Sequence, residues 1–174
     1  IALPSGGLYF NANRVNFHEG SGITGTGTLY LNTDAYLNCT RLHSTAATNF
    51  IGVFLSSTGG VTRTWAGPGL FTWTNGTLYG SLKFEAGVNA VLSGSDYKEM
   101  ADGSEIINEG TLTWTGDGGI RGRSLASPGA VIRNRSTFLA DTPADLVIGS
   151  ANVFSNFYNE AGATFTKTNP GTTY

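Results

Sequence analysis

The chain has 174 residues, 40% hydrophobic and only 13% charged, with 25 glycines and a formal net charge of −2. That length suits one domain with a sizeable core, the 11% aromatic content excludes a disordered chain, and the slight acidity gives no electrostatic reason to approach nucleic acid. A single cysteine, Cys39, excludes an intrachain disulfide and reads as a small buried hydrophobe.

Taken from the N-terminus, the chain offers short alternating runs in place of helical periodicity. They are "LYLN" (29–32), "FIGVFL" (50–55), "LFTWT" (70–74), "LKFEA" (82–86), "TLTWT" (111–115), "AVIRN" (130–134), "STFLA" (136–140) and "ATFTKT" (163–168). Each is bounded by glycine, asparagine or aspartate, so each predicts a short strand ended by a turn. The nearest helical candidate, "SDYKEMADGS" (95–104), predicts one or two turns at most. The fold class is therefore all-β. No apolar run approaches the ~20 residues of a membrane helix, so no membrane insertion is expected. The opening "IALPSGGLYF" lacks the charged start of a signal peptide, so any export signal would lie outside these residues.

Two repeats organise these strands. "VNFHEGSGITG" from Val15, "FTWTNGTLYG" from Phe71 and "LTWTGDGGIRG" from Leu112 align on alternating inward residues, a glycine turn and the pairs Ile23/Gly25, Leu78/Gly80 and Ile120/Gly122. A second motif surrounds Asn108, Asn134 and Asn159, which lie 26 and then 25 residues apart. That interval matches one coil of a parallel β-helix, in which each strand pairs with its counterpart ~4.8 Å away. The asparagines would then form a hydrogen-bonded ladder, the alternative being three independent Asx-turns. Strand alternation sends Leu112 and Trp114 inward and Thr111, Thr113 and Thr115 outward. Phe71 and Trp73 match the first pair, and Phe138 and Phe165 complete the expected core aromatics.

The phrases "GTLTWTG", "INEGTL", "NEAGATFTKT" and "GSLKFEAGVNAVLSG" resemble the degenerate repeats of very large secreted bacterial surface proteins. Those repeats are similar to filamentous haemagglutinin and autotransporter passengers. The resemblance covers about residues 15 to 168 and implies a right-handed parallel β-helix, an extracellular or cell-surface location and a role in adhesion or matrix; it implies no catalytic residue. The expected architecture is one solenoid domain over 1–174 of about seven coils, with 40–68 an irregular coil or lateral loop, and an antiparallel β-sandwich as runner-up. Its expected partners are copies of itself, stacked head to tail, or flanking repeats of the same polypeptide.

Chemistry-bearing patterns are sparse. Asp34, Asp96, Asp102, Asp117, Asp141 and Asp145 are scattered at turns and show no coil-spaced array of the kind polysaccharide-cleaving β-helices use. His18 and His43 have no partner at metal-ligand spacing, so no catalytic residue, metal or cofactor is expected. The runs "RGR" (121–123) and "RNR" (133–135) suggest that Arg121 or Arg123 meets Arg133 or Arg135 on one face, as a contact for an anionic glycan or an acidic neighbour, or as a solvated strand face. A carbohydrate-binding or carbohydrate-cleaving β-helix is the alternative function, with Trp65, Tyr30, Tyr36 and Tyr79 as candidate stacking rings. Threonines at alternate positions raise a third reading, an ice-binding face, against which the unequal spacing of the copies argues. Asn38-Cys39-Thr40, Asn75-Gly76-Thr77 and Asn134-Arg135-Ser136 fit the glycosylation pattern.

Overall fold

The computed structural model describes residues 1–11, 13–55, 61–101, 103–122, 129–142 and 155–169. Three strands per winding follow one another in chain order. The first winding holds β1 (Ala2–Leu3), β2 (Gly7–Phe10) and β3 (Arg14–His18); the second, β4 (Gly22–Gly25), β5 (Thr28–Leu31) and β6 (Asp34–Asn38). In the next two, the corner between the last two strands straightens. The result is β7 (Arg41–Ser44) with β8 (Ala47–Leu55), then β9 (Thr62–Ala66) with β10 (Phe71–Tyr79). The fifth has β11 (Ser81–Phe84), β12 (Asn89–Leu92) and β13 (Lys98–Met100), and the sixth β14 (Glu105–Asn108), β15 (Thr111–Trp114) and β16 (Ile120–Gly122). Two further pairs, β17 (Ala130–Asn134) with β18 (Thr137–Ala140) and β19 (Ser155–Asn159) with β20 (Thr164–Lys167), complete the described strands.

Every strand pairing among the described residues is parallel, which excludes the antiparallel sandwich. The chain is a β-solenoid of about six turns. Face one is the eight-stranded sheet β1-β4-β7-β9-β11-β14-β17-β19. Face two stacks β2-β5-β8-β10-β12-β15-β18-β20, and face three is formed by β3, β6, β13 and β16 with the far halves of β8 and β10. The expected seven coils become about six because all three faces are described for only six windings; beyond β18 the third face lies outside the described residues.

Alternation builds the core. On face two, Leu29, Phe71, Ala90, Leu112 and Phe138 share one buried column, interrupted by Thr48, and Leu31, Phe50, Trp73, Leu92, Trp114 and Ala140 share the next. Each large apolar side chain so buried contributes on the order of 1.5–3 kcal/mol. Phe71, Trp73, Trp114 and Phe138 are core residues as expected, while Phe165 is only partly buried and packs against Phe138 and Phe157.

Three expectations are corrected. The segment 40–68 supplies β7, β8 and β9 to the ladders, with Leu42, Ser44, Phe50 and Trp65 buried, and only 56–60 lies outside the described residues. Its alternation was hidden by polar residues, among them Ser44, that occupy inward positions. The helical candidate at 95–104 is a bend followed by β13, because Lys98, Glu99 and Met100 pair with β10 and β16. Val15 does not align with Phe71, since it lies on β3 of the third face, whereas Phe71 and Leu112 are true equivalents joined through Ala90.

Candidate functional site: stacked columns and lateral faces

The asparagine ladder exists. Asn108, Asn134 and Asn159 are successive Cα partners on face one. Asn108 Nδ2 donates to Asn134 Oδ1 at 2.8 Å, and Asn134 Nδ2 donates to Asn159 Oδ1 at 2.7 Å. The same amides close the corner into face two: Asn108 Nδ2 reaches Thr137 O at 2.8 Å, and Asn134 Nδ2 reaches Thr164 O at 2.9 Å. Asn108 Oδ1 accepts from Gly110 N at 3.2 Å. Asn108 and Asn134 are fully buried, so the glycosylation pattern at Asn134 falls on an amide enclosed by its neighbours. The inward column that these residues occupy begins with Leu42, Trp65 and Phe84; the core thus changes from apolar to amide along one line. Two asparagine contacts between the first windings escaped the sequence reading, Asn32 Nδ2 to Asn11 Oδ1 at 2.7 Å and Asn38 Nδ2 to Asn16 Oδ1 at 3.1 Å. Their separations of 21 and 22 residues are the signal that could have found them.

The predicted basic face is neutralised. Arg133 Nε lies 2.7 Å from Glu105 Oε1 and its Nη1 3.7 Å from Glu160. Arg135 lies 2.9 Å from Glu160 and 3.4 Å from Glu109, and Lys83 reaches Glu109 at 3.3 Å. Charges of alternating sign therefore run up the axis along face one, joining four windings. On the same face Arg41 bonds Glu85, holding its carboxyl below the usual carboxylate range. Arg121 belongs to β16 on face three and bonds Glu99. It does not meet Arg133 or Arg135, which sit on and just beyond β17 of face one. Arg123 lies outside the described residues. These half-exposed pairs are each worth less than about 1 kcal/mol, so they set register more than stability.

Trp65 is fully buried and packs edge-on against Phe71 at 4.8 Å; it presents no ring to a sugar, because its alternation parity puts it in the column of Phe84. Tyr30 is covered on one side by the stacked ring of Tyr9 at 4.2 Å, and Tyr36 lies under the guanidinium of Arg14 at 4.0 Å. Tyr79 is half-buried at the end of β10. The outward rows of face two are in register despite unequal sequence spacing: Thr111, Thr137 and Thr164 form one column, and Thr72, Val91, Thr113, Leu139 and Thr166 the next.

Among the described residues no group of three His, Cys, Asp or Glu side chains could hold a metal ion, and no helix is long and apolar enough to cross a membrane. Cys39 is buried, and burial raises its thiol pKa. A lysine inside the solenoid was not anticipated. Lys98 is fully buried, its Nζ donates to Gly94 O at 3.2 Å and Asp96 O at 2.9 Å, and burial lowers its pKa despite Asp96. Comparison with known proteins finds no matching family model, no matching curated protein and no matching solved structure.

Proposed function

We propose that this chain is a scaffold module of an extracellular or cell-surface fibre, a rod extended by windings of the same cross-section. The observation that carries the reading is the repetition of like side-chain contacts along the axis: asparagine on asparagine through three windings, and glutamate against arginine or lysine through four. Such columns specify the addition of a like winding, since each new rung meets the same partner as the last. The likeness of the "GTLTWTG" and "NEAGATF" phrases to adhesin repeats supports the same reading. No catalytic residue is assigned. The next winding comes either from flanking repeats of the polypeptide or from a second copy stacked head to tail. Electron microscopy with light scattering separates them. Fibres with an axial repeat near the ~35 Å spanned by the stacked rungs support self-stacking, and dispersed monomers at high concentration sink it.

The registered threonine columns on face two favour one second reading, ice binding, but Val91 and Leu139 interrupt them. A measurement showing no thermal hysteresis discards it.

A further inference from the structure

We propose that a groove on face three binds a neutral glycan. The groove holds about 320 Å³ and is lined by Asn75, Thr77, Asp96, Tyr97, Glu99 and Arg121. That volume lies at the small end of ligand sites and suits one or two sugar rings. Tyr97 is 49% exposed, and the Arg121 guanidinium sits 4.4 Å from its ring centroid. Glu99 fixes that guanidinium through Nε at 3.1 Å, while the other Glu99 oxygen accepts from Thr77 Oγ1 at 3.2 Å. Across the groove Asn75 Nδ2 donates to Asp96 Oδ2 at 3.2 Å. The aromatic ring is thereby anchored without being buried.

Two buried donors hold the segments that carry these groups. Lys98 Nζ grips the carbonyls of Gly94 and Asp96 in the bend leading to Tyr97, and Trp73 Nε1 donates to Asn75 O at 2.7 Å. Enclosing an ammonium inside an apolar solenoid is costly, and here its hydrogen bonds immobilise the bend that presents Tyr97. Preorganisation of that kind lowers the ordering cost of binding.

The lining selects the ligand class. Asp96 and Glu99 outnumber Arg121, whose charge is already paired, so the groove repels anions; the anionic glycan expected near Arg121 is replaced by a neutral one. The groups around the ring are polar, which disfavours an apolar ligand. A pyranose supplies both complements, an apolar C–H face for the ring and hydroxyls for carboxylate, amide and threonine.

The test is saturation-transfer NMR and calorimetry on the whole chain with four probes: hexaoses of β-1,4-glucose, α-1,4-glucose and β-1,4-mannose, and a sulfated hexaose. At least one neutral probe is expected to receive saturation at its ring C–H protons. Tyr97→Ala is expected to weaken that probe by about tenfold and Tyr97→Phe to hold it within about threefold. Tyr158→Ala, which removes the ring under Arg133 on face one, should leave binding unchanged. Circular dichroism confirms that each variant keeps its β signal. The proposal is overturned by silence from every neutral probe, by indifference to Tyr97→Ala, or by tighter binding of the sulfated hexaose. None of these outcomes bears on fibre formation, so the two readings fail separately.

Discussion

Replacing Asn134 with alanine tests the ladder where it is most enclosed. The side chain accepts from Asn108 Nδ2 at 2.8 Å and from Ser136 N at 3.4 Å, and donates to Asn159 Oδ1 at 2.7 Å and Thr164 O at 2.9 Å. Asn108 keeps its bond to Thr137 O at 2.8 Å, but one of its two amide hydrogens is stranded at a fully buried residue. A stranded buried donor costs about 1–3 kcal/mol and each lost net hydrogen bond about 1, so Asn134→Ala is expected to cost about 2–4 kcal/mol. Asn159→Ala should cost only about 1 kcal/mol, because Asn159 is exposed: its truncation lets water reach the Asn134 amide it accepted from, and that amide keeps Thr164 O at 2.9 Å and Ser136 O at 3.3 Å. Asn134→Asp adds a pH signature. Its carboxylate would face Asn159 Oδ1 and Thr164 O, oxygen against oxygen, so burial and these acceptors raise its folded pKa above the unfolded value of about 3.9. The folded state then binds the extra proton, and stability falls as pH rises from about 3.9 through the folded value. Urea unfolding followed by circular dichroism measures the costs, and amide exchange at Ser136 reports the local loss. Because solenoids unfold in parts, protection at Arg135 and Glu160, whose amides bond Asn108 O and Asn134 O, is read alongside. A cost below about 1 kcal/mol for Asn134→Ala, or an equal cost at Asn159, refutes the ladder as a buried, cooperative element.

Three further outcomes follow from single positions. Gly76 has φ +106° and a Cβ there would meet Gly52 O at 1.7 Å, whereas at Gly87, with φ +87°, it meets nothing within 4 Å. Gly76→Ala should cost at least about 3 kcal/mol and Gly87→Ala about 1–2, and similar melting shifts for the two would contradict the close stacking of β8 on β10. Thr48 Oγ1 is buried in the inward column between Leu29 and Phe71 with no hydrogen-bond partner among the described residues. Thr48→Val should therefore stabilise by about 1 kcal/mol, and a lower urea midpoint would show that the hydroxyl has a partner. Burial lowers the Lys98 pKa, so the unfolded state binds more protons between the folded value and about 10.4. Stability from this group rises with pH across that window. Wild type should gain on Lys98→Met between pH 8 and pH 10 in guanidinium midpoints, and a constant or reversed difference contradicts the buried ammonium.

How much of this was legible in the sequence depended on coil length. The windings that carry Asn108, Asn134 and Asn159 run at 26 and 25 residues, so their repeat is visible in the residue spacing. The first windings run at 21 and 22, and Arg63 pairs with Leu82 after only 19. With coil length varying, alignment on the residue pattern alone set Val15 against Phe71, although the two lie on different faces. The equivalence of Phe71 and Trp73 with Leu112 and Trp114 survived because both pairs lie on face two, two windings apart. Partners of charged side chains were not legible, since Glu105, Glu109 and Glu160 reach Arg133 and Arg135 only across windings. Nor was the Tyr97 groove, which is assembled from β10, the bend before β13 and β16. Lys98 was hidden for a similar reason: nothing in "SDYKEM" reveals that its ammonium turns inward to cap carbonyls of its own bend.

The central claim is that equivalent residues of successive windings lie directly above one another. Pulsed electron spin resonance distances along one outward column of face two test it most directly. In a Cys39→Ser background, nitroxide labels are placed at Tyr30 with Thr113, and at Tyr30 with Thr166, four and six rungs apart in the registered column. At ~4.8 Å per rung the Cα separations are about 19 and 29 Å, so the second distance should exceed the first by about 10 Å. Two equal distances, or a shorter second one, would contradict a single solenoid axis.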